Sequence, residues 1–278
     1  MNAEVVDVTP ELAAKWLAGN KKNRAVKQSA VDRYSRDMRS GVWRTTGEPI
    51  IFNGDGTLLD GQHRLMAVVD SGTTITSLVV TGIATESQKQ IDQGVSRSLL
   101  DVLKMDGRAN NTGLAAVINA TYGWRTGRFG NKATVAEAME LLANEPYLEE
   151  VVRNTQRLSL QATPLRWRVS VVGLLGAEVC RMGGDMNEFI KFIELVHKPD
   201  AVGSQHPCYL LRERLIGWST SIHSKPSLQM MLAVTNRAWN NWQQGERPKI
   251  LRWKASVEDM PGILAMDGET ISTFGWAK

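Results

Sequence analysis

The chain has 278 residues, a hydrophobic fraction of 42% and a net charge of +4. A chain of this length and composition can bury a sizeable core, but no apolar run approaches the roughly 20 residues that a bilayer-spanning helix requires. Two cysteines are too few for a disulfide framework and the first residues lack a secretory signal, so we expect a cytoplasmic protein with no membrane partner.

Hydrophobic periodicity and turn residues define seven elements in the first third of the chain. Thr9-Pro10 has the residue types of an N-cap and a first helical position. Asn53-Gly54-Asp55-Gly56 is a strong hairpin signal between two short apolar segments. The predicted order is strand, helix, helix, strand, strand, helix and strand, over residues 5–8, 10–17, 28–39, 49–53, 57–60, 62–71 and 75–80.

Beyond residue 85 the strand signal fades and helical periodicity dominates. One further short strand is predicted at residues 249–253, where apolar and basic residues mix. We therefore predict an α+β protein with a small α/β N-terminal domain at 1–84, connecting helices at 85–107 and a mainly α-helical domain at 108–278.

A tight turn, Asp60-Gly61, separates the strand that ends at Asp60 from the helix that follows. In such a turn the backbone N–H groups of the first helical residues have no intrahelical partner, and with the helix dipole they form a site for an anion such as phosphate. His63 and Arg64 lie in that first turn and add an imidazole and a guanidinium. Taken alone, the turn is more typical of an ordinary strand–helix connection with solvated basic residues.

Together, the element order and the turn Asp60-Gly61-Gln62-His63-Arg64 resemble the ParB/sulfiredoxin superfamily over about residues 5–82. The turn reads Gly-Cys-His-Arg in sulfiredoxins, Gly-Glu-Arg-Arg in ParB proteins and Asp-Gly-His-His-Arg in ParB-like free serine kinases. Gly47-Glu48-Pro49-Ile50-Ile51 stands where ParB proteins have a Gln-Pro-Ile strand. Three later segments, at residues 91–97, 237–242 and 251–253, resemble those of uncharacterised phage and actinobacterial proteins with the same N-terminal domain. The resemblance therefore implies a phage-associated protein.

The resemblance implies a phosphate pocket at the start of the 62–71 helix, with ATP or CTP and Mg²⁺ as its ligand. Asp60 corresponds to the acidic residue of the kinase-like members and is the candidate metal ligand or general base, with Glu48 as a second carboxylate. The implied phosphate-binding residues are Gly61, Gln62, His63, Arg64 and Arg24. Arg97 is a further candidate, because its segment could bring a second guanidinium toward the pocket. A solvated loop is the alternative for Arg24, and a structural turn is the alternative for Arg97.

Differences from the family pattern limit the reactions that this chain is expected to catalyse. Gln62 stands where sulfiredoxins have their catalytic cysteine, and a carboxamide cannot form the covalent sulfur intermediate. Gln62-His63 also replaces the Glu-Arg pair of ParB proteins, so CTP-dependent clamping does not transfer simply. NTP hydrolysis or phosphoryl transfer without a covalent step is therefore the expected activity, although the sequence leaves open whether turnover occurs.

A basic cluster between residues 20 and 44 supports an alternative function, a non-catalytic DNA-binding or partition-like module. A solvated helix face is the more common outcome for such a stripe. The residues that would contact DNA are Lys21, Lys22, Arg33, Arg36 and Arg39. A homo-oligomer formed through the helical domain is left open.

Metal-dependent chemistry has weaker support. A ParB-like nuclease ranks third, because the sequence offers no clustered metal-binding carboxylates beyond Asp60 and Glu48. Elsewhere, the potential ligands match no standard zinc spacing, so we predict no metal site among Cys180, His197, His206 and Cys208.

Overall fold

The computed structural model describes residues 1–19, 26–89, 98–130, 132–161, 165, 167–199, 202–221 and 225–275. Over these residues the chain is α+β, as predicted, with a small mixed sheet and a helical C-terminal part. It divides into two compact units, Met1–Arg97 and Ser98–Lys278. In the described part of the chain, no helix combines the length and apolar character needed to cross a bilayer.

The described residues of the N-terminal unit form one four-stranded sheet and three α-helices. Its elements are β1 (Asn2–Val8), α1 (Pro10–Ala18), α2 (Gln28–Arg39), β2 (Ile50–Asn53), β3 (Leu58–Asp60), α3 (Gln62–Ser71), β4 (Ile75–Ile83) and a 3₁₀ helix (Thr85–Lys89). The strand order is β1-β4-β2-β3. Strand β4 pairs antiparallel with β1 and parallel with β2, while β2 and β3 form an antiparallel pair.

Helices α1 and α2 both pack against α3, and the three share one hydrophobic core with the sheet. Val8, Ile50, Leu65 and Val68 are fully buried in this core. Burial of each such side chain contributes about 1.5–3 kcal/mol. The core therefore fixes α3, and with it the turn that precedes α3, against the strands.

The C-terminal unit is helical apart from a short hairpin. Its elements are α4 (Leu99–Met105), α5 (Asn111–Arg125), α6 (Val135–Asn144), α7 (Tyr147–Gln161), α8 (Val169–Arg181), α9 (Met186–His197), α10 (Pro207–Thr220), α11 (Leu228–Gln243), β5 (Ile263–Leu264) and β6 (Ile271–Ser272). The strand predicted at 249–253 is wrong. Leu251 and Trp253 are buried and Arg252 is exposed, but the segment pairs with no strand among the described residues.

Two buried indoles attach the β5–β6 hairpin to the helices. Trp239 Nε1 donates to the Leu264 carbonyl at 2.7 Å, and Trp124 Nε1 donates to Ser272 Oγ at 3.0 Å. Both tryptophan side chains are fully buried, so these donors have protein partners in place of water. The hairpin is thus held by side chains far away in sequence.

A buried carboxylate lies at the centre of the C-terminal unit. Glu178 on α8 is completely inaccessible, and it accepts hydrogen bonds from Arg125 Nε at 2.8 Å and Arg181 Nε at 2.9 Å. Ser272 Oγ donates to it at 2.7 Å. Arg125 also binds both carboxylate oxygens of Glu145, at 2.6 and 3.0 Å. Two arginines therefore offset two buried or half-buried acids, which meets the requirement that buried charges be paired.

We expect Glu178→Ala to lower the free energy of unfolding by about 3–5 kcal/mol, because it leaves Arg125 and Arg181 partly unpaired in a buried position. Glu188→Ala is the matched control, since Glu188 and Lys191 form an exposed pair at 3.4 Å. Exposed pairs contribute about 0–1 kcal/mol. Urea denaturation of both variants measures the difference, and equal losses would contradict the assigned role of Glu178.

His197 gives the C-terminal unit a pH dependence. Its side chain is buried beside Trp167, and neither ring nitrogen has a hydrogen-bond partner. Burial, reinforced by the nearby charge of Arg212, lowers the pKa of His197 from 6.5 to about 4. Between these values the unfolded chain binds a proton that the folded chain does not, so stability falls as the pH drops from 6.5 towards 4.

We expect His197→Leu to remove this part of the acid sensitivity, since leucine does not titrate. Relative to the variant, the wild type should lose on the order of 3 kcal/mol of unfolding free energy between neutral pH and about pH 4. Denaturation curves of both proteins at the two pH values test this. The pKa of His206 is also lowered by burial, but that residue is common to both proteins and cancels in the difference. If the difference in unfolding free energy between wild type and His197→Leu were the same at both pH values, His197 would be excluded as the titrating group.

Candidate functional site

The turn between β3 and α3 depends on a glycine. Gly61 is the N-cap of α3 and has φ +102°, in the left-handed region that side chains rarely adopt. A Cβ at this position would also lie 3.1–3.3 Å from atoms of Ile50 on β2. The Gly61 carbonyl accepts the Leu65 N–H at 2.9 Å, which begins the helix directly after the turn. Gly61 therefore lets α3 start close against the sheet.

Arg64 donates hydrogen bonds to the backbone directly before β2. Its Nη1 donates to the Glu48 carbonyl, and its Nη2 donates to the Pro49 carbonyl at 2.7 Å. Nη2 also forms an ion pair with Asp60 Oδ2 at 3.2 Å. With a side chain only 11% exposed, Arg64 joins the start of β2 to the end of β3.

The two candidate carboxylates occupy different environments. The Asp60 side chain is 29% exposed and is held by Arg64, whereas the Glu48 side chain is exposed and its residue contributes a backbone carbonyl to the same guanidinium. Over the described part of the chain, no three His, Cys, Asp or Glu side chains are grouped so that they could hold a metal ion.

His63 connects the starts of two helices. Its Nε2 accepts the backbone N–H of Lys27 at 3.0 Å, and Lys27 is the N-cap residue of α2. To accept this bond the imidazole must carry its proton on Nδ1. The contact places the positive end of the α2 dipole beside that of α3. Lys27 was not among the predicted site residues, because its contribution is a backbone group that leaves no side-chain signal.

Neither helix start is neutralised by its own residues. The N-cap residues Lys27 and Gly61 provide no side-chain cap, and the first turns of α2 and α3 contain no acidic residue. By contrast, Asp101 and Glu137 complete capping boxes at α4 and α6. The N-terminal unit therefore brings together two positive helix ends without an acid in their first turns, and the nearby carboxylate of Asp60, directly before Gly61, is paired with Arg64.

The remaining predicted residues are distributed as follows. Gln62 is buried, being 7% exposed, at the first position of α3. Lys21, Lys22, Arg24 and Arg97 lie outside the described residues.

The predicted DNA-contacting stripe on α2 is divided by its local contacts. Arg33 is exposed and its guanidinium lies 5.1 Å from the ring centroid of Tyr34. Arg36 is half-buried, and Arg39 forms a 2.6 Å ion pair with Asp70 of α3. DNA binding by this face remains a prediction, and part of the charge assigned to it is used within the unit.

A separate groove of about 550 Å³ lies in the C-terminal unit. Trp218 lines it, together with Leu210 and Gly217 of α10 and with Ile250.

No family model, curated protein or solved structure matches the chain. The resemblance to the ParB/sulfiredoxin superfamily therefore stays a prediction from the residues of the turn and the order of the elements.

We expect Gly61→Ala to destabilise the N-terminal unit by about 2–4 kcal/mol, through backbone strain and contact with Ile50. Gly72→Ala is the matched control, because Gly72 also has a positive φ, of +66°, but a Cβ there meets nothing within 4 Å. Its cost should be about 1–2 kcal/mol. Hydrogen exchange of peptides from residues 50–72 during urea denaturation reports on this unit. A loss no larger than that of Gly72→Ala would show that the turn tolerates a side chain.

Proposed function

We propose that the N-terminal unit binds a nucleoside triphosphate through its phosphates, at the adjoining starts of α2 and α3. The observation that carries this proposal is the His63–Lys27 contact, which joins two helix N-termini that have neither a side-chain cap nor a first-turn acid. Helix N-termini bind anions through their backbone N–H groups and dipoles. The ParB/sulfiredoxin-like resemblance leads to the same turn from independent evidence.

In this proposal Arg64 is a positioning residue. Two carbonyls and Asp60 already engage its guanidinium, so its main effect is to fix the turn from which α3 starts. Its charge still favours an anion nearby, since the Asp60 carboxylate offsets that charge only locally. The direct phosphate contacts are assigned to the backbone N–H groups at the helix starts and to His63.

The donor set fits Mg²⁺ that arrives on the nucleotide. Mg²⁺ usually binds one or two protein carboxylates, several waters and the substrate phosphates. Asp60 offers one partly exposed carboxylate beside the turn, which suits this arrangement and not a cage built from protein ligands alone. When bound, Mg²⁺ would neutralise phosphate charge.

Hydrolysis or phosphoryl transfer is the reaction class proposed for this site. Such reactions depend mainly on positioning and on stabilisation of charge, with little covalent chemistry for the protein to perform. Two helix ends and a fixed guanidinium supply positive potential, and Asp60 is the carboxylate available to accept a proton. Glu48 is exposed and contributes less to a defined geometry.

We expect calorimetric titration with ATP, CTP and GTP, each with Mg²⁺, to show binding of at least one nucleotide. Ser29→Glu should weaken this binding about fivefold or more, because it adds a carboxylate to the first turn of α2. Repulsion between that carboxylate and the bound phosphate costs about 1 kcal/mol. Ser29 is exposed and an acidic residue at that position is favourable to the helix, so folding should be preserved.

Ser256→Glu, the same change at an exposed position of the C-terminal unit, is the control and should bind as the wild type does. If calorimetric titration gave no binding heat with any of the three nucleotides, the proposal would be refuted. Equal affinity of Ser29→Glu and wild type would refute the location of the site. Release of phosphate by a protein that binds nucleotide, and its loss in Asp60→Asn, would establish turnover at this turn.

A further inference from the structure

The four-stranded sheet has two edges of different character. At one edge β3 is only three residues long, its pairing with β2 is irregular, and the 3₁₀ helix at Thr85–Lys89 packs beside it. At the other edge β1 pairs with β4 over seven consecutive residues without a bulge. Short strands, irregular pairing and covering elements are the usual means of protecting an edge, and in the described structure β1 has none of them.

Most residues of strand β1 are exposed. Asn2, Ala3, Glu4 and Asp7 are exposed, and Val5 at the centre of the strand is 71% exposed. The strand contains no proline or lysine, the residues that most often block edge pairing. Its outer backbone groups are paired with no other described strand. An apolar side chain at the midpoint of an open edge favours addition of another strand.

The sequence of β1 is self-complementary in one antiparallel register. With Val5 opposite Val5 of a second copy, Glu4 faces Val6 and Ala3 faces Asp7, so no two acidic residues are opposite. All seven residues then pair. Moving the centre to Glu4 would place two carboxylates directly opposite, which is destabilising. Moving it to Val6 would leave Asn2 and Ala3 without partners.

We propose that β1 is a homodimerisation edge, and that two copies join their sheets through antiparallel β1–β1 pairing centred on Val5. The partner is a second copy because an isologous interface requires a self-complementary surface, which this register provides. Pairing of a single seven-residue strand buries less than a standard interface of about 1,200–2,000 Å². The dimer should therefore be weak and depend on protein concentration. This inference does not rest on nucleotide binding.

The test is sedimentation equilibrium of the full chain across the range of concentrations that its solubility allows. Wild type should show a monomer–dimer equilibrium. Val5→Glu and Val5→Lys should each weaken dimerisation about tenfold or more, because two like charges then lie directly opposite. An equimolar mixture of the two variants should recover association as a heterodimer, since the opposed charges become complementary.

Val69→Glu and Val69→Lys on α3 are the matched controls, because Val69 is an exposed valine, 43% accessible, on a helix of the same unit. They should dimerise as the wild type does. The far-ultraviolet circular dichroism of all four variants should match that of the wild type, since both valines are exposed. A wild type that is monomeric at every concentration would overturn the proposal. The proposal would also be overturned if neither Val5 variant weakened dimerisation, or if a mixture of the two variants did not associate.

Discussion

The guanidinium of Arg64 forms the hydrogen bonds on which the turn between β3 and α3 depends. Its rigid fork reaches two successive carbonyls before β2 and the carboxylate that ends β3, so one side chain holds together segments that approach the turn from different directions. Gly61 supplies the close approach to Ile50 that this arrangement needs. Arg64 and Gly61 together set the direction in which α3 leaves the sheet, and hence where its uncapped start lies. Arg64, which the sequence predicts to bind phosphate, therefore acts first as a structural residue of the turn.

Sequence reasoning succeeded where the signals are local. Pro10 at a helix start, Asn53-Gly54 between two strands and Gly72 after α3 act on their immediate neighbours, so the order of the seven N-terminal elements could be read from them. The contacts that define the candidate site are different in kind. Arg64 binds carbonyls 15 and 16 residues away, and His63 binds an N–H 36 residues away. Backbone acceptors and donors carry no residue type, so no sequence pattern identifies them as partners.

The wrong strand at 249–253 shows the same limit in the C-terminal unit. Leu251 and Trp253 are buried on either side of exposed Arg252, so burial alternates along this segment as it does in a strand. Alternation reports which side chains face a core, but a strand also needs a neighbouring strand to pair with. The actual hairpin has strands of only two residues each, and it is held by indoles of Trp124 and Trp239, 148 and 25 residues away from their partners. A strand of two residues is too short to show a hydrophobic periodicity in the sequence.

The two proposed surfaces of the N-terminal unit lie at opposite edges of one sheet. Strand β1 is one edge of the order β1-β4-β2-β3, and α3 starts directly after β3 at the other. Pairing of two copies through β1 would therefore leave the start of α3 in each copy at an outer edge of the joined sheet. Because the edges are separated by the two central strands, assembly requires no residue of the phosphate site. The proposed nucleotide binding and the proposed dimerisation therefore use separate parts of the same small fold, and a change at Val5 should affect the second without the first.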